Sequence, residues 1–178
     1  MRLFVAFLFE EKTHRALLDV QERLRKAAGR GNFTRPQNLH LTLGFLGETP
    51  PERLSAAKQA VTRTPMQPLA LVFDHLGSFR QQGNDLWWAG LRRDSALTAT
   101  QRALAAALAQ EGFRLENRRF QPHLTLARQV PPDTRMDRAA LLPSPIAAPI
   151  SHISLMLSER IDGVLTYTEL FSHGAGGS

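Results

Sequence analysis

The sequence predicts an α+β fold in two lobes: a duplicated unit with two antiparallel sheets and flanking helices around a central cleft. Three observations lead there. The tetrapeptide His-Leu-Thr-Leu occurs twice, at residues 40–43 and 123–126. In each half it closes the same order of segments, a strand-like run, a helix-like run and then the His-Leu-Thr-Leu strand. The 178 residues, 43% of them hydrophobic, suit one compact two-lobed domain over residues 1–178 with a sizeable core, rather than separate linked domains.

Each element has a local reason. "RLFVAFLF" predicts a strand over about 2–9. An amphipathic helix follows over 11–28, with Leu17, Leu18, Val20 and Leu24 on its apolar side and Gly29 and Gly31 ending it. The first His-Leu-Thr-Leu strand covers about 38–46. In "TPPE", Thr49 is expected to cap a helix running to about residue 64, with Glu52 three positions on. "PLALVFDHLGSF" and "DLWWAGL", separated by the turn-rich "RQQGN", predict an antiparallel pair. An Ala-rich helix over about 95–111, closed by Gly112, leads into the second His-Leu-Thr-Leu strand at about 120–127. A proline-rich loop is expected over 131–149, then strands at about 150–158 and 164–171. A disordered tail is expected over about 173–178.

Composition excludes several function classes. The chain has no cysteine, which removes disulfides, thiolate nucleophiles and Cys-based zinc sites, and suits a cytoplasmic home. The N-terminal apolar run is followed at once by Glu10 and Glu11 and reads as a strand rather than a signal peptide. No apolar run approaches the roughly 20 residues of a membrane helix, so a soluble protein is expected. The net charge of +6 and a pI near 10.9 suit a polyanionic partner. Because 19 of the 22 basic residues are Arg, charge alone leaves nucleic-acid binding and a coding bias equally open.

The repeated tetrapeptide is more specific. On a strand, alternation puts His40 and Thr42 on one face and Leu39, Leu41, Leu43 and Phe45 on the other, so Phe45 is expected in the core. His123, Thr125 and Ala127 share a face in the same way. Facing lobes would bring two imidazoles and two hydroxyls together. No carboxylate accompanies the histidines at metal-ligand spacing, and no Gly-rich phosphate loop is present, so neither a metal site nor an ATP site is expected. Two imidazoles with pKa values near neutrality can divide acid and base work. The hydroxyls beside them can donate to phosphoryl oxygens.

These motifs resemble the two-histidine (2H) phosphoesterase superfamily. The contexts "RPQNLHLTLGFLGE" and "RRFQPHLTLAR", with "RLFVAFLF" and "GVLTYTELF" at the two ends, look like its bacterial branch of RNA 2',3'-cyclic phosphodiesterases, also called 2'-5' RNA ligases. The resemblance implies hydrolysis of a terminal 2',3'-cyclic phosphate to a 2'-phosphomonoester without cofactor, metal or ATP, by a monomer acting on RNA ends or cyclic nucleotides. His40 and His123 would be the catalytic pair, with His123 as base and His40 as acid. Thr42, Thr125 and Arg128 would bind phosphate. Strict alternation puts Arg128 with Leu124 and Leu126, so it reaches the cleft only if the strand ends, twists or bulges. The alternatives are 2'-5' ligation or 2',5'-phosphodiester cleavage at the same site, and a non-catalytic RNA-binding module.

The remaining candidates carry plainer readings. His14 is expected on a solvated helix face, His75 and His152 as structural histidines, and His173 in the tail. Of Trp87 and Trp88, one is expected in the core and one exposed. Arg92, Arg93, Arg118 and Arg119 read as solvated charge, with an RNA track as the alternative.

Overall fold

The computed structural model describes residues 1–116, 119–133 and 135–175. In chain order the elements are β1 (Arg2–Phe7), α1 (Glu11–Ala28), β2 (Asn32–Phe33), β3 (Leu41–Glu48), α2 (Leu54–Arg63), β4 (Leu69–Gln81), β5 (Asn84–Leu91), α3 (Ser95–Gln110), β6 (His123–Val130), α4 (Arg138–Leu141), β7 (Ile146–Ile150), β8 (His152–Ile161) and β9 (Val164–Gly174). Short 3-10 turns at Pro36–Asn38 and Pro51–Arg53 precede β3 and α2.

All strand pairings are antiparallel and build two sheets, as expected. The first runs in the order β3, β1, β8, β9, and the second in the order β2, β6, β5, β4, β7. The first His-Leu-Thr-Leu strand, β3, is an edge of the four-stranded sheet. The second, β6, is separated from the edge of its sheet only by the two-residue β2. Glycines carry the tight hairpin turns: Gln82-Gly83 and Asp162-Gly163 both adopt positive φ, as a two-residue turn between twisted strands requires.

The helices cross between the halves. From the first half, α1 lies on the five-stranded sheet: Thr13 Oγ1 donates to the Ala147 carbonyl of β7, and the buried amide of Gln21 donates to Leu126 of β6. From the second half, α3 lies on the four-stranded sheet, where Gln101 Nε2 donates to the Leu43 carbonyl of β3. Helix α2 packs beside it against β8 and β9. Each sheet thus buries one face under helices, and the apolar residues of both lobes join one core. In β1, Leu3, Val5 and Phe7 point into that core, while Phe4 and Ala6 face the other way with Met156 and Tyr167.

Four local expectations are corrected. Thr49 does not cap a helix; its hydroxyl donates to the Gly47 carbonyl and its N–H to Met1, and a 3-10 turn at Pro51–Arg53 intervenes before α2. The segment 131–149 holds α4 and most of β7, and Pro149 is tolerated in β7 because that strand is an edge. Strand β9 continues to Gly174, so His173 lies in the sheet opposite Ile153. Gly174 faces His152, whose ring leaves no room for a Cβ. The last residues of the expected tail, 176–178, lie outside the described residues. Finally, His14 is half-buried and its Nε2 donates to the Pro36 carbonyl, tying α1 to the turn before His40.

Candidate active site

Both His-Leu-Thr-Leu strands carry the same irregularity. On β6, Trp88 of β5 faces Thr125 and Trp87 faces Ala127, so Leu126 is an extra residue on its strand. On β3, Ala6 of β1 faces Thr42 and Val5 faces Gly44, so Leu43 is extra. A bulge of this kind resets the alternation of side chains. Leu126 and Ala127 are therefore both buried and Arg128 returns to the face of His123 and Thr125; Leu43 and Gly44 are both buried and Phe45 returns to the face of His40 and Thr42.

The bulge thus meets the condition for Arg128 to reach the cleft, and it corrects the expectation for Phe45. That ring is 40% exposed, lines the cleft, and carries the Arg2 guanidinium 5.0 Å from its centroid. The carbonyls of the two extra residues are held from the helices already described. Leu126 accepts from Gln21 Nε2 (2.9 Å) and from the Thr34 N–H, and Leu43 accepts from Gln101 Nε2 (3.3 Å).

His40, Thr42, His123, Thr125 and Arg128 line one cleft of about 1080 Å³ between the sheets. The two imidazoles are held alike. His40 Nδ1 lies 2.7 Å from the Asn38 carbonyl and His123 Nδ1 lies 2.7 Å from the Gln121 carbonyl, two residues back in each case. A carbonyl only accepts, so each Nδ1 carries a hydrogen and each neutral ring has its lone pair on Nε2. The Thr42 hydroxyl lies 2.9 Å from His40 Nε2 and can donate to it. Asn38 is buried, and its amide donates to the Leu165 carbonyl at 3.0 Å, which fixes the segment that holds His40.

The surroundings of the two histidines differ. His40 is packed by Phe4 and Tyr167, with ring centroids 5.0 and 5.1 Å away. Burial pushes its pKa down; the Asn38 carbonyl offsets part of this, and the neighbouring His123 adds to the depression. His123 lies more openly, with Phe79 and Trp88 each 6.2 Å from its ring. Burial pushes the Tyr167 hydroxyl up, opposed by Arg128 and Arg2.

Arg2, Arg35, Asn38, Phe45 and Tyr167 also line the cleft, although sequence reasoning does not single them out as site residues. The signal for Arg2 and Tyr167 lies in the quoted end motifs, but nothing in their spacing places those ends beside the histidines. Of the arginines read as solvated charge, with an RNA track as the alternative, Arg92 stands 3.5 Å from the Asp74 carboxylate, and neither it, Arg93 nor Arg119 lines the cleft. Arg118 lies outside the described residues. Trp87 is buried, as expected, whereas Trp88 is half-buried with its indole nitrogen enclosed, short of the exposure expected of it. Among the described residues no three His, Asp or Glu side chains gather as a metal site needs, and no helix is long and apolar enough to cross a membrane.

A sequence model described as the 2'-5' RNA ligase superfamily matches residues 11–162, which include both motifs. The chain belongs to that superfamily. Curated relatives named RNA 2',3'-cyclic phosphodiesterase include one from Archaeoglobus fulgidus, 30% identical over 129 residues and 72% of each chain. Another, from Methanothermobacter thermautotrophicus, is 27% identical over 179 residues and 96% of each chain. Among solved structures, E. coli LigT complexed with 3'-AMP matches at a TM-score of 0.82 and 24% identity, covering 99% of this chain and 98% of that one; this likeness bears on the fold. A protein of Thermus thermophilus matches at a TM-score of 0.78 and 27% identity, with 99% of both chains covered. These relationships support a hydrolase of phosphate esters.

Proposed function

We propose that the protein is an RNA 2',3'-cyclic phosphodiesterase, which opens a terminal 2',3'-cyclic phosphate to a 2'-phosphomonoester by general acid and base catalysis, without metal or ATP. The observation that carries this reading is the matched pair of arms: two Nδ1-protonated imidazoles, each with a threonine two residues on, lining one cleft with Arg128. The relatives named for this activity support the substrate.

In the reaction a water oxygen bonds to phosphorus as the bond from phosphorus to O3' breaks. His123 Nε2 takes the proton that water loses, and His40 gives one to the departing O3'. Thr42, Thr125 and Arg128 bind the phosphoryl oxygens, where charge accumulates in the transition state. His40 must enter protonated although its surroundings favour the neutral ring. The phosphate anion supplies the compensating charge, since an opposite charge within about 4–6 Å favours the imidazolium.

The test is incubation with a 2',3'-cyclic-phosphate-ended oligonucleotide in excess chelator and without ATP. Turnover to a 2'-phosphate, read by phosphorus NMR, is expected. Activity that vanishes with EDTA and returns with added zinc or magnesium would overturn the metal-free reading, and a 3'-phosphate product would overturn the bond assignment.

A further inference from the structure

We propose that Phe79 and Trp88 form a stacking shelf for the base preceding the terminal nucleotide, so that the site is built for an RNA end rather than a mononucleotide. The inference rests on the phosphodiesterase reading. It begins from two aromatic rings outside the buried core: among the described residues neither Trp88 nor Phe79 belongs to its apolar clusters, Trp88 is half-buried, and Phe79 is 40% exposed on a long strand.

The two rings form one surface. Their centroids are 5.4 Å apart and their planes 35° from parallel, and both stand 6.2 Å from the His123 ring. The sheet beneath is shaped to hold them. Gly77 lies opposite Trp88, and a Cβ on Gly77 would meet the indole at 2.1 Å, so the ring lies across the glycine. Next to it, a Cβ on Gly90 would meet the His75 ring at 2.2 Å. His75 then meets the indole edge-on at 5.6 Å, with Asp74 2.6 Å from its Nδ1. Two glycines on neighbouring strands thus let two rings lie along the sheet.

Position assigns the occupant. Neither Phe79 nor Trp88 lines the cleft, yet both adjoin His123, which does. With the cyclic phosphate between the two histidines, the terminal nucleoside occupies the cleft, and a strand leaving it past His123 meets the shelf with its next base. Aromatic rings serve this use for any base, because every base has a π-face.

The experiment compares kcat/KM for three substrates: a cyclic-phosphate-ended mononucleotide, a dinucleotide, and a dinucleotide whose first residue is abasic. Wild type is expected to prefer the full dinucleotide. Phe79→Ala, an exposed substitution, is expected to lose about tenfold on it, the size of one base stack, and to leave the other two substrates unchanged. Phe79→Trp is expected to restore the preference. Equal losses on all three substrates, or none on any, would overturn the shelf. Calorimetric binding of 2'-phosphate-ended dinucleotides, with and without the first base, separates the two readings. An enzyme that turns over none of the substrates would sink the phosphodiesterase reading, while base-dependent affinity that Phe79→Ala abolishes would sustain the shelf, and base-independent affinity would reject it.

Discussion

At the scale of single residues, the site is two imidazoles in unlike surroundings, and the difference has kinetic consequences. Removing an acid or a base typically costs about 10²- to 10⁴-fold. His40→Ala and His123→Ala are each expected to lose at least that in kcat, and the double variant less than the product of the two because the groups act as a unit. A substrate whose leaving group needs no proton should rescue His40→Ala alone; rescue of His123→Ala instead would exchange the two roles. The pH dependence follows from burial. Because His40 is held below the ordinary imidazole range, the limb of kcat/KM that reports this acid in the free enzyme should inflect below that range. In kcat the bound phosphate favours the protonated ring, so the same limb should lie at higher pH. Limbs at one pH in both profiles would show that phosphate does not act on His40. The two histidines and two threonines were legible in the sequence because the repeated motif names them outright. Phe45 was not, since its place depends on a bulge that no residue type announces.

That bulge is the decisive feature at the scale of elements. Period-two reasoning placed Leu124 and Leu126 in the core, as observed, and failed one residue later on each strand, where Leu43 and Leu126 are inserted. A bulge needs partners for the backbone group it frees, and on β6 these are the Thr34 N–H and an amide from a distant helix. Gln21, 2% exposed, donates to both Leu126 and Thr34 carbonyls. Its polar character on a buried helix face was the available signal, but sequence alone cannot say which strand such an amide reaches. Gln21→Leu is expected to cost about 1–3 kcal/mol of stability, because the Thr34 carbonyl loses its amide partner and the Leu126 carbonyl keeps only the Thr34 N–H, measured by denaturant unfolding. It should also lower kcat/KM by letting Arg128 drift. If Gln21 acts through Arg128, the loss in the double variant Gln21→Leu/Arg128→Ala should fall short of the product of the single losses; fully multiplicative losses would leave Gln21 a structural role only. Gln101→Leu should matter less, because its 3.3 Å bond is weaker and serves the strand that presents Phe45.

For the molecule as a whole, duplication and two sheets were legible because each half repeats the same order of strand, helix and strand. The crossing of α1 and α3 to the opposite sheets was not, since both sheets offer an apolar face and order along the chain does not choose between them. The crossing turns two weak halves into one core and leaves the sheets' other faces free to form the cleft. Charge has a similar history. The total of +6 says little about position, but the cleft walls carry Arg2, Arg35, Arg128 and Arg160 against Glu48 and Glu159. An RNA strand leaving the terminal site therefore passes an excess of positive charge. For single strands the logarithm of affinity falls with the logarithm of salt at about 0.7 per phosphate neutralised. A mononucleotide should show the slope of its one phosphate, and an oligonucleotide a steeper slope by about 0.7 for each further phosphate held. Arg35→Ala and Arg160→Ala should flatten the oligonucleotide slope and leave the mononucleotide unchanged, whereas Arg128→Ala should weaken both. Equal slopes for the two ligands in wild type would confine recognition to the terminal nucleotide and make the surface charge incidental to substrate binding.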